Sequence, residues 1–255
     1  MYREIKDFYG QGMKDTVVIG QQRTGSNLLC YALSFFDGYR NVNEFYSMDN
    51  INFIYPIFMS EQEYTQLFEY YGTQDYRQLL KSVHQAPQES FDLVKSVLNS
   101  NVILKILDFH FDSNKTLNYV FDKDVKFIIT ERDNTLEQFV SLKIAEQHKV
   151  WYNENTNDFK ININIEEYNQ FKRKKEHFYS NLFKKLSDKK FIIINYERDL
   201  ANGITDNLLD RLEDFLKEDG ITISRTEKPR NFIFKQSTID IKHKILNYNE
   251  IKDFK

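Results

Sequence analysis

The sequence predicts an α/β fold with a mainly parallel central sheet flanked by helices. Three observations predict it. Four short runs rich in Val, Ile and Phe (Thr16–Gly20, Val102–Leu107, Val125–Thr130 and Phe191–Asn195) read as strands covered on both faces. Segments of helical periodicity separate them, as crossover connections between parallel strands require. Polar loops follow the first and third runs, at the strand ends where open parallel sheets hold their ligands.

The elements follow in order. TVVIG, Thr16–Gly20, is the first strand. After the loop QQRTG, Leu28, Leu29, Ala32, Leu33 and Phe36 form the apolar stripe of a helix. Residues 45–100 are helical in pattern and rich in Tyr and Phe. The segment is long for a crossover and is read as a helical cap insertion over the site. Val102–Leu107 is the next strand, ending in LKILDFHFD, Leu104–Asp112. On an extended chain Asp108, His110 and Asp112 share one face. After the strand Val125–Thr130, the residues Leu136, Val140 and Ile144, with Phe139 beside them, mark another helix. Trp151–Glu167, rich in Asn, reads as an irregular excursion, and Phe171–Phe178, FKRKKEHF, as a solvated helix face. Beyond the strand Phe191–Asn195, the residues Ile204, Leu208, Leu209, Leu212, Phe215 and Leu216 form the clearest stripe. From Arg225 onward there is no strand–helix alternation, but there are several basic residues.

Bulk properties narrow the function. The chain has 255 residues, 41% of them hydrophobic, which suits one domain over residues 1–255 with a substantial core. A net charge of −3 gives no general attraction to nucleic acid or acidic membranes, so basic residues should act locally. Three prolines and eight glycines argue against a loosely strung multidomain chain. One cysteine, Cys30, allows no internal disulfide and fits a reducing compartment. Neither a signal peptide nor a membrane span is legible, so a cytoplasmic location is expected.

Gly20 and Gly25 have the GxxxxG spacing of a phosphate-binding loop between strand and helix. Backbone N–H groups there, with the helix N-terminus behind them, favour an anion. A P-loop hydrolase next needs Lys and Ser or Thr, for phosphate and Mg²⁺. Here those positions hold Ser26 and Asn27, and the positive charge lies inside the loop at Arg23. The pattern suits an anion without an obligatory metal. QQRTGSNLL resembles the 5′-phosphosulfate loop of sulfotransferases that use 3′-phosphoadenosine 5′-phosphosulfate (PAPS), with Arg23, Thr24, Gly25, Ser26 and Asn27 matching in order. The resemblance is closest to the bacterial branch with trehalose 2-sulfotransferase and the nodulation-factor sulfotransferases. It implies a P-loop NTPase-like three-layer fold, PAPS as sulfuryl donor and no metal.

FIITERDNTLEQFVSL, Phe127–Leu142, resembles the same family's 3′-phosphate site, with Arg132 at a strand end and Ser141 on the next helix. Arg forks onto phosphate oxygens and a hydroxyl adds a donor. Since Asn134 to Ser141 spans about 10 Å of helix, Arg132 has to lean back towards Ser141. KPRNFIFKQ, Lys228–Gln236, resembles the late basic segment that closes over PAPS, with Arg230 and Lys235 as its candidates.

Sulfuryl transfer needs a base for the acceptor proton and positive charge where the leaving phosphate gathers electrons. Arg23 is the candidate for that charge. In the bacterial branch a Glu followed by aromatic residues acts as base, and Glu44-Phe45-Tyr46 matches it. His110 is the rival, by resemblance to the animal enzymes. Lys105 matches a strand lysine near the acceptor or cofactor. The alternation of Asp108, His110 and Asp112 also permits a metal reading. The acceptor expected is a hydroxyl of a small molecule, carbohydrate or glycolipid, and the oligomeric state is open. Two alternatives stand beside the transferase: a non-catalytic nucleotide-binding module of the same fold, and a P-loop kinase that has lost its lysine.

Overall fold

The computed structural model describes residues 13–46, 60–113, 115–151, 154–217, 223–227 and 237–251. Five strands form one sheet: β1 (Thr16–Gly20), β2 (Tyr39–Asn43), β3 (Asn101–Leu107), β4 (Lys126–Glu131) and β5 (Phe191–Asn195). Their order across the sheet is β2-β3-β1-β4-β5, and every pairing is parallel. The four apolar runs are β1, β3, β4 and β5. The fifth strand, β2, has the sequence YRNVN and sits at an edge. With one neighbour and a half-exposed face it needs no continuous apolar run, so none marked it.

Alternation along the strands sends side chains to two faces. On one face Val18, Ile103, Ile128 and Ile194 pack against α1 (Ser26–Leu33) and α8 (Asp206–Leu216). On the other, Val17, Ile19, Leu104, Phe127 and Ile129 meet α2 (Glu61–Tyr71), α3 (Tyr76–Gln85), α4 (Pro87–Leu98) and the last turns of α7 (Ile165–Lys185). The result is three layers. Residues 60–98, within the expected cap, thus share one core with the sheet; residues 47–59 lie outside the described residues. Local chemistry sets these helices: Ser60 and Glu63 form a capping box at the start of α2, Gly72 ends it at φ 62°, and Pro87 opens α4.

A third cluster joins α6 (Thr135–His148) and the start of α7 to the C-terminal segment, through Leu136, Ile144, Ile163, Tyr168, Ile245 and Ile251. The Asn-rich excursion is irregular up to α7, where Asn164 caps the helix, and one bridge, Ile161 to Ile245, ties it to the C-terminal segment.

At the base of the sheet, away from the loops, buried charge is neutralised locally. Asp15 accepts from the Val102 N–H at 3.0 Å and pairs with Lys95 at 2.8 Å. Lys126 donates to the Phe215 and Lys217 carbonyls at the end of α8, where the helix dipole favours a cation. These ties fix the strand starts and leave the opposite ends to carry the site. Among the described residues no helix is long and apolar enough to cross a membrane.

Candidate active site

The connection after β1 runs towards one edge of the sheet, to β2, and the connection after β4 runs towards the other, to β5. Such divergence opens a gap above the carboxyl ends of β1 and β4, the usual ligand position in open parallel sheets. The register places Gly20 beside Thr130, so the loops bearing Arg23 and Arg132 start from neighbouring points.

The loop after β1 is held by its own side chains. Gly20 admits no side chain: a Cβ there would lie 2.0 Å from the Thr130 hydroxyl and 2.8 Å from its carbonyl oxygen. The Thr24 hydroxyl turns inward, donating to the Gln21 carbonyl at 2.8 Å and meeting the Thr130 hydroxyl at 2.8 Å. Thr24 is thus a brace of the loop. Its hydroxyl is spent within the fold, although Thr24 stands in the matched phosphate-loop motif. Arg23 and Gly25 take left-handed conformations, φ 65° and 81°. Alternation of this kind turns backbone N–H groups into a concavity suited to anions. At Gly25 a Cβ would also meet Tyr196 and Leu200 at 2.8 Å. Ser26 begins α1, whose N-terminus has no side-chain cap and no acidic residue in its first turn.

Arg23 donates from Nε to the Ser141 hydroxyl at 2.9 Å and from Nη1 to the Trp151 carbonyl at 2.6 Å. Burial, and next the charge of Arg132, push its pKa down to about 10. Ser141 therefore serves Arg23, whereas the sequence paired it with Arg132. The reason is visible in α6. Its first-turn residue Glu137 takes Arg132 Nη2 at 2.7 Å, while Glu197, after β5, takes Nε at 3.3 Å. Arg132 Nη1 donates to the Arg23 carbonyl at 3.3 Å, and the guanidinium lies 4.3 Å from the centre of the Tyr196 ring. Arg132 is 8% exposed, so two carboxylates and a ring hold it in place.

The second cluster lies at the end of β2 and β3. A register shift between Asn41 and Asn43, with Asn43 at φ 48°, turns Glu44 inward. Its carboxylate is 2.6 Å from Lys105 Nζ and 3.7 Å from His110 Nε2. Lys105 also donates to the Asn27 side-chain oxygen in α1. Asn27 therefore belongs to the Glu44 cluster as much as to the loop. Phe45 and Tyr46 are both buried behind Glu44, and the Tyr46 hydroxyl donates to the Pro87 carbonyl at 2.7 Å.

β3 stops at Leu107, and Asp108–Ser113 forms the short helix α5. The expected extended face of Asp108, His110 and Asp112 is thus replaced by a helical turn; the Asp112 side chain lies outside the described residues. The turn brings His110 Nδ1 back to accept from the Leu107 N–H at 3.0 Å. That bond assigns the proton of the neutral ring to Nε2, facing Glu44. Burial, opposed by Glu44, pushes the imidazole pKa down to about 4. A ring with one nitrogen accepting and the other protonated has no lone pair to offer as a base. Nε2 lies 3.7 Å from the Glu44 carboxylate, beyond hydrogen-bond distance.

Several residues join the site that the sequence reading left out. Gln21 donates to Asp108 at 2.9 Å, and Gln138 donates to the Gln22 carbonyl at 2.9 Å. Lys175, from the segment read as a solvated face, turns in to donate to the Arg132 carbonyl and to the Thr135 hydroxyl. Tyr196 and Glu197 follow β5 directly, so the same strand-end rule that marked Arg132 also marks them. Arg230 and Lys235 lie outside the described residues. No family model matches the chain, and no curated protein gives a significant match.

Proposed function

We propose that the chain is a PAPS-dependent sulfotransferase of P-loop-like architecture, acting on an acceptor hydroxyl of a carbohydrate, glycolipid or other small molecule. One observation carries the reading. A half-buried arginine, Arg23, and a buried one, Arg132, converge from the ends of adjacent strands, and a buried carboxylate, with Lys105 and Asn27 linking it to α1, stands at the far side of the same helix start. Cations on one side and a proton acceptor on the other are what group transfer from an anionic donor to a hydroxyl needs. The left-handed turns at Arg23 and Gly25 are of the kind that gathers backbone N–H groups around an anion, which suits the donor's phosphate.

When bound, PAPS supplies a sulfuryl group joined to a phosphate leaving group. Arg23 and the N–H groups of the loop hold the phosphate and meet the charge that gathers on its oxygen as the S–O bond breaks. Glu44 accepts the acceptor's hydroxyl proton as the new O–S bond forms. Lys105 fixes the carboxylate, and Ser141 fixes Arg23. Arg132 engages the second phosphate by exchanging at least one of Glu137 and Glu197 for it. The absence of Lys after Gly25 disfavours the kinase alternative.

The test is a thermal-shift titration with adenosine 3′,5′-bisphosphate, with and without EDTA, followed by incubation with labelled PAPS and a panel of sugars, lipids and phenols. Stabilisation independent of Mg²⁺ and label transfer to a hydroxyl are expected. Glu44→Gln should keep the bisphosphate affinity and lose turnover. Stabilisation by ATP–Mg²⁺ alone would exclude the reading, and an active Glu44→Gln would remove Glu44 as the base.

A further inference from the structure

A groove of 660 Å³ runs over the exposed side of α4, between Tyr70 of α2 and Tyr119 of the 3₁₀ helix Lys115–Asp122. Its volume lies in the range of small-molecule sites, about 300–1,000 Å³. Leu93 and the two tyrosine rings give it apolar walls. Its charged lining consists of two carboxylates, Glu89 and Asp92, and no lysine or arginine lines it among the described residues. One carboxylate already has its cation. Lys123, at the rim, sets its ammonium 3.0 and 3.2 Å from the two Asp92 oxygens and 5.9 Å from the centre of the Tyr119 ring. An alkyl-ammonium is well held in this way, by a carboxylate together with an aromatic face. Glu89 lies three residues before Asp92, and positions three apart are neighbours on a helix surface. It repeats the arrangement with Tyr70, whose hydroxyl donates to its carboxylate and which is 42% exposed. No lysine or arginine among the described residues forms an ion pair with Glu89. The groove thus joins two carboxylates to one ammonium and is short of one positive charge.

We propose that this groove binds a small organic ammonium, a protonated primary amine on a carbon chain. Its nitrogen sits on the Glu89 carboxylate beside the Tyr70 ring, as Lys123 sits on Asp92 beside Tyr119, and its chain lies along Leu93. Charge complementarity selects the ammonium, and the size of the groove selects a small molecule over a protein segment. The inference goes beyond the transferase reading and does not depend on it. The groove nevertheless touches the support of Glu44. Pro87 and Tyr119 line it, and the Tyr46 hydroxyl donates to the Pro87 carbonyl at 2.7 Å and meets the Tyr119 hydroxyl at 2.6 Å. Tyr46 is fully buried and follows Glu44 by two residues, so one wall of the groove anchors the chain just beyond that carboxylate.

The experiment is an NMR titration of the isotope-labelled full chain at neutral pH and about 0.15 M salt, where diffuse attraction between charges is screened. The probes are pentylamine, its neutral counterpart pentanol, and a lysine-rich peptide. Saturating shifts with pentylamine, centred on Tyr70, Glu89, Leu93 and Tyr119, are expected, and none with pentanol. Glu89→Gln keeps an oxygen for the Tyr70 hydroxyl and should weaken amine binding at least tenfold. Tyr70→Leu should weaken it severalfold. Glu69→Gln, at an exposed carboxylate of α2 outside the groove, should bind as the unaltered chain does. The spectra also report whether each variant folds; if Glu89→Gln does not, Tyr70→Leu and the pentanol comparison decide. Shifts that fail to saturate, shifts spread over carboxylates elsewhere, equal affinity in Glu89→Gln, or pentanol binding as well as the amine would each overturn the proposal. A peptide that saturates the groove where the free amine does not would make it a protein-docking surface and would overturn the small-molecule assignment.

Discussion

Replacing Lys105 by Met tests whether the Glu44 cluster is built as described. Lys105 is 1% exposed, and its ammonium lies 2.6 Å from the Glu44 carboxylate. Met roughly fills the same space, so the cost of the change is electrostatic. It strands a carboxylate that is itself 8% exposed, with the neutral His110 ring 3.7 Å away. Breaking one side of a buried pair costs about 3–5 kcal/mol. Against a usual total of about 5–15 kcal/mol that is a large share. The double variant Lys105→Met/Glu44→Gln removes the stranded charge, and about 2 kcal/mol should return. The deficit of the single variant should also shrink on acidification. Without the Lys105 charge, which opposes protonation of His110, the imidazole can take a proton and face Glu44. Urea denaturation followed by circular dichroism at pH 8 and pH 5.5 measures all three effects. A cost below about 1 kcal/mol for Lys105→Met at pH 8, or no recovery in the double variant, would refute the electrostatic account.

Further outcomes follow from particular contacts. Gly20→Ala forces a methyl group to within 2.0 Å of the Thr130 hydroxyl; a loss of about 3 kcal/mol, or roughly 6–12 °C in Tm, is expected by calorimetry, and an unchanged Tm contradicts the packing of β1 on β4. His110 is held neutral down to about pH 4, below its ordinary value of 6.5. Between those values the unfolded chain binds more protons, so stability falls as pH drops from 6.5 to 4, by about 3 kcal/mol, and this term levels off below. His110→Gln should flatten that part of the pH–stability curve, and an unchanged slope places the titration elsewhere. Glu137→Gln with Glu197→Gln frees the Arg132 fork and should tighten adenosine 3′,5′-bisphosphate binding about tenfold by calorimetric titration. Weaker binding would mean that the two carboxylates hold Arg132 in its working position.

The buried half of the architecture was legible because burial on both faces leaves an unbroken apolar run. β1, β3 and β4 are such runs, β5 is an apolar run at the other edge with its first three residues half-buried, and the stripes of α1, α6 and α8 lie where periodicity put them. Strand β2 was not legible, since an edge strand written YRNVN obeys neither pattern. At the site, Arg23 and Arg132 follow strands that were legible and could be picked out for that reason, whereas Glu44, which follows the unread β2, was reached only through the resemblance of Glu44-Phe45-Tyr46. Partners were harder to read. Ser141 went to Arg23 because Glu137, one turn into the helix, intercepted Arg132, and nothing in the local spacing announces a competing carboxylate. His110 was misplaced on an extended face because the chain after Leu107 turns helical to let its own ring cap the strand.

The two halves of the site hang from unequal supports. The arginines grow from β1 and β4, strands gripped from both sides. Glu44 grows from β2, which has a single neighbour and a bulge just before the carboxylate. Change in the border strand disturbs one row of hydrogen bonds, whereas change in the middle disturbs two. Under the proposed transfer, the side of the site that meets the acceptor can thus be remodelled by editing the sheet's margin, while the side that meets the donor stays as it is.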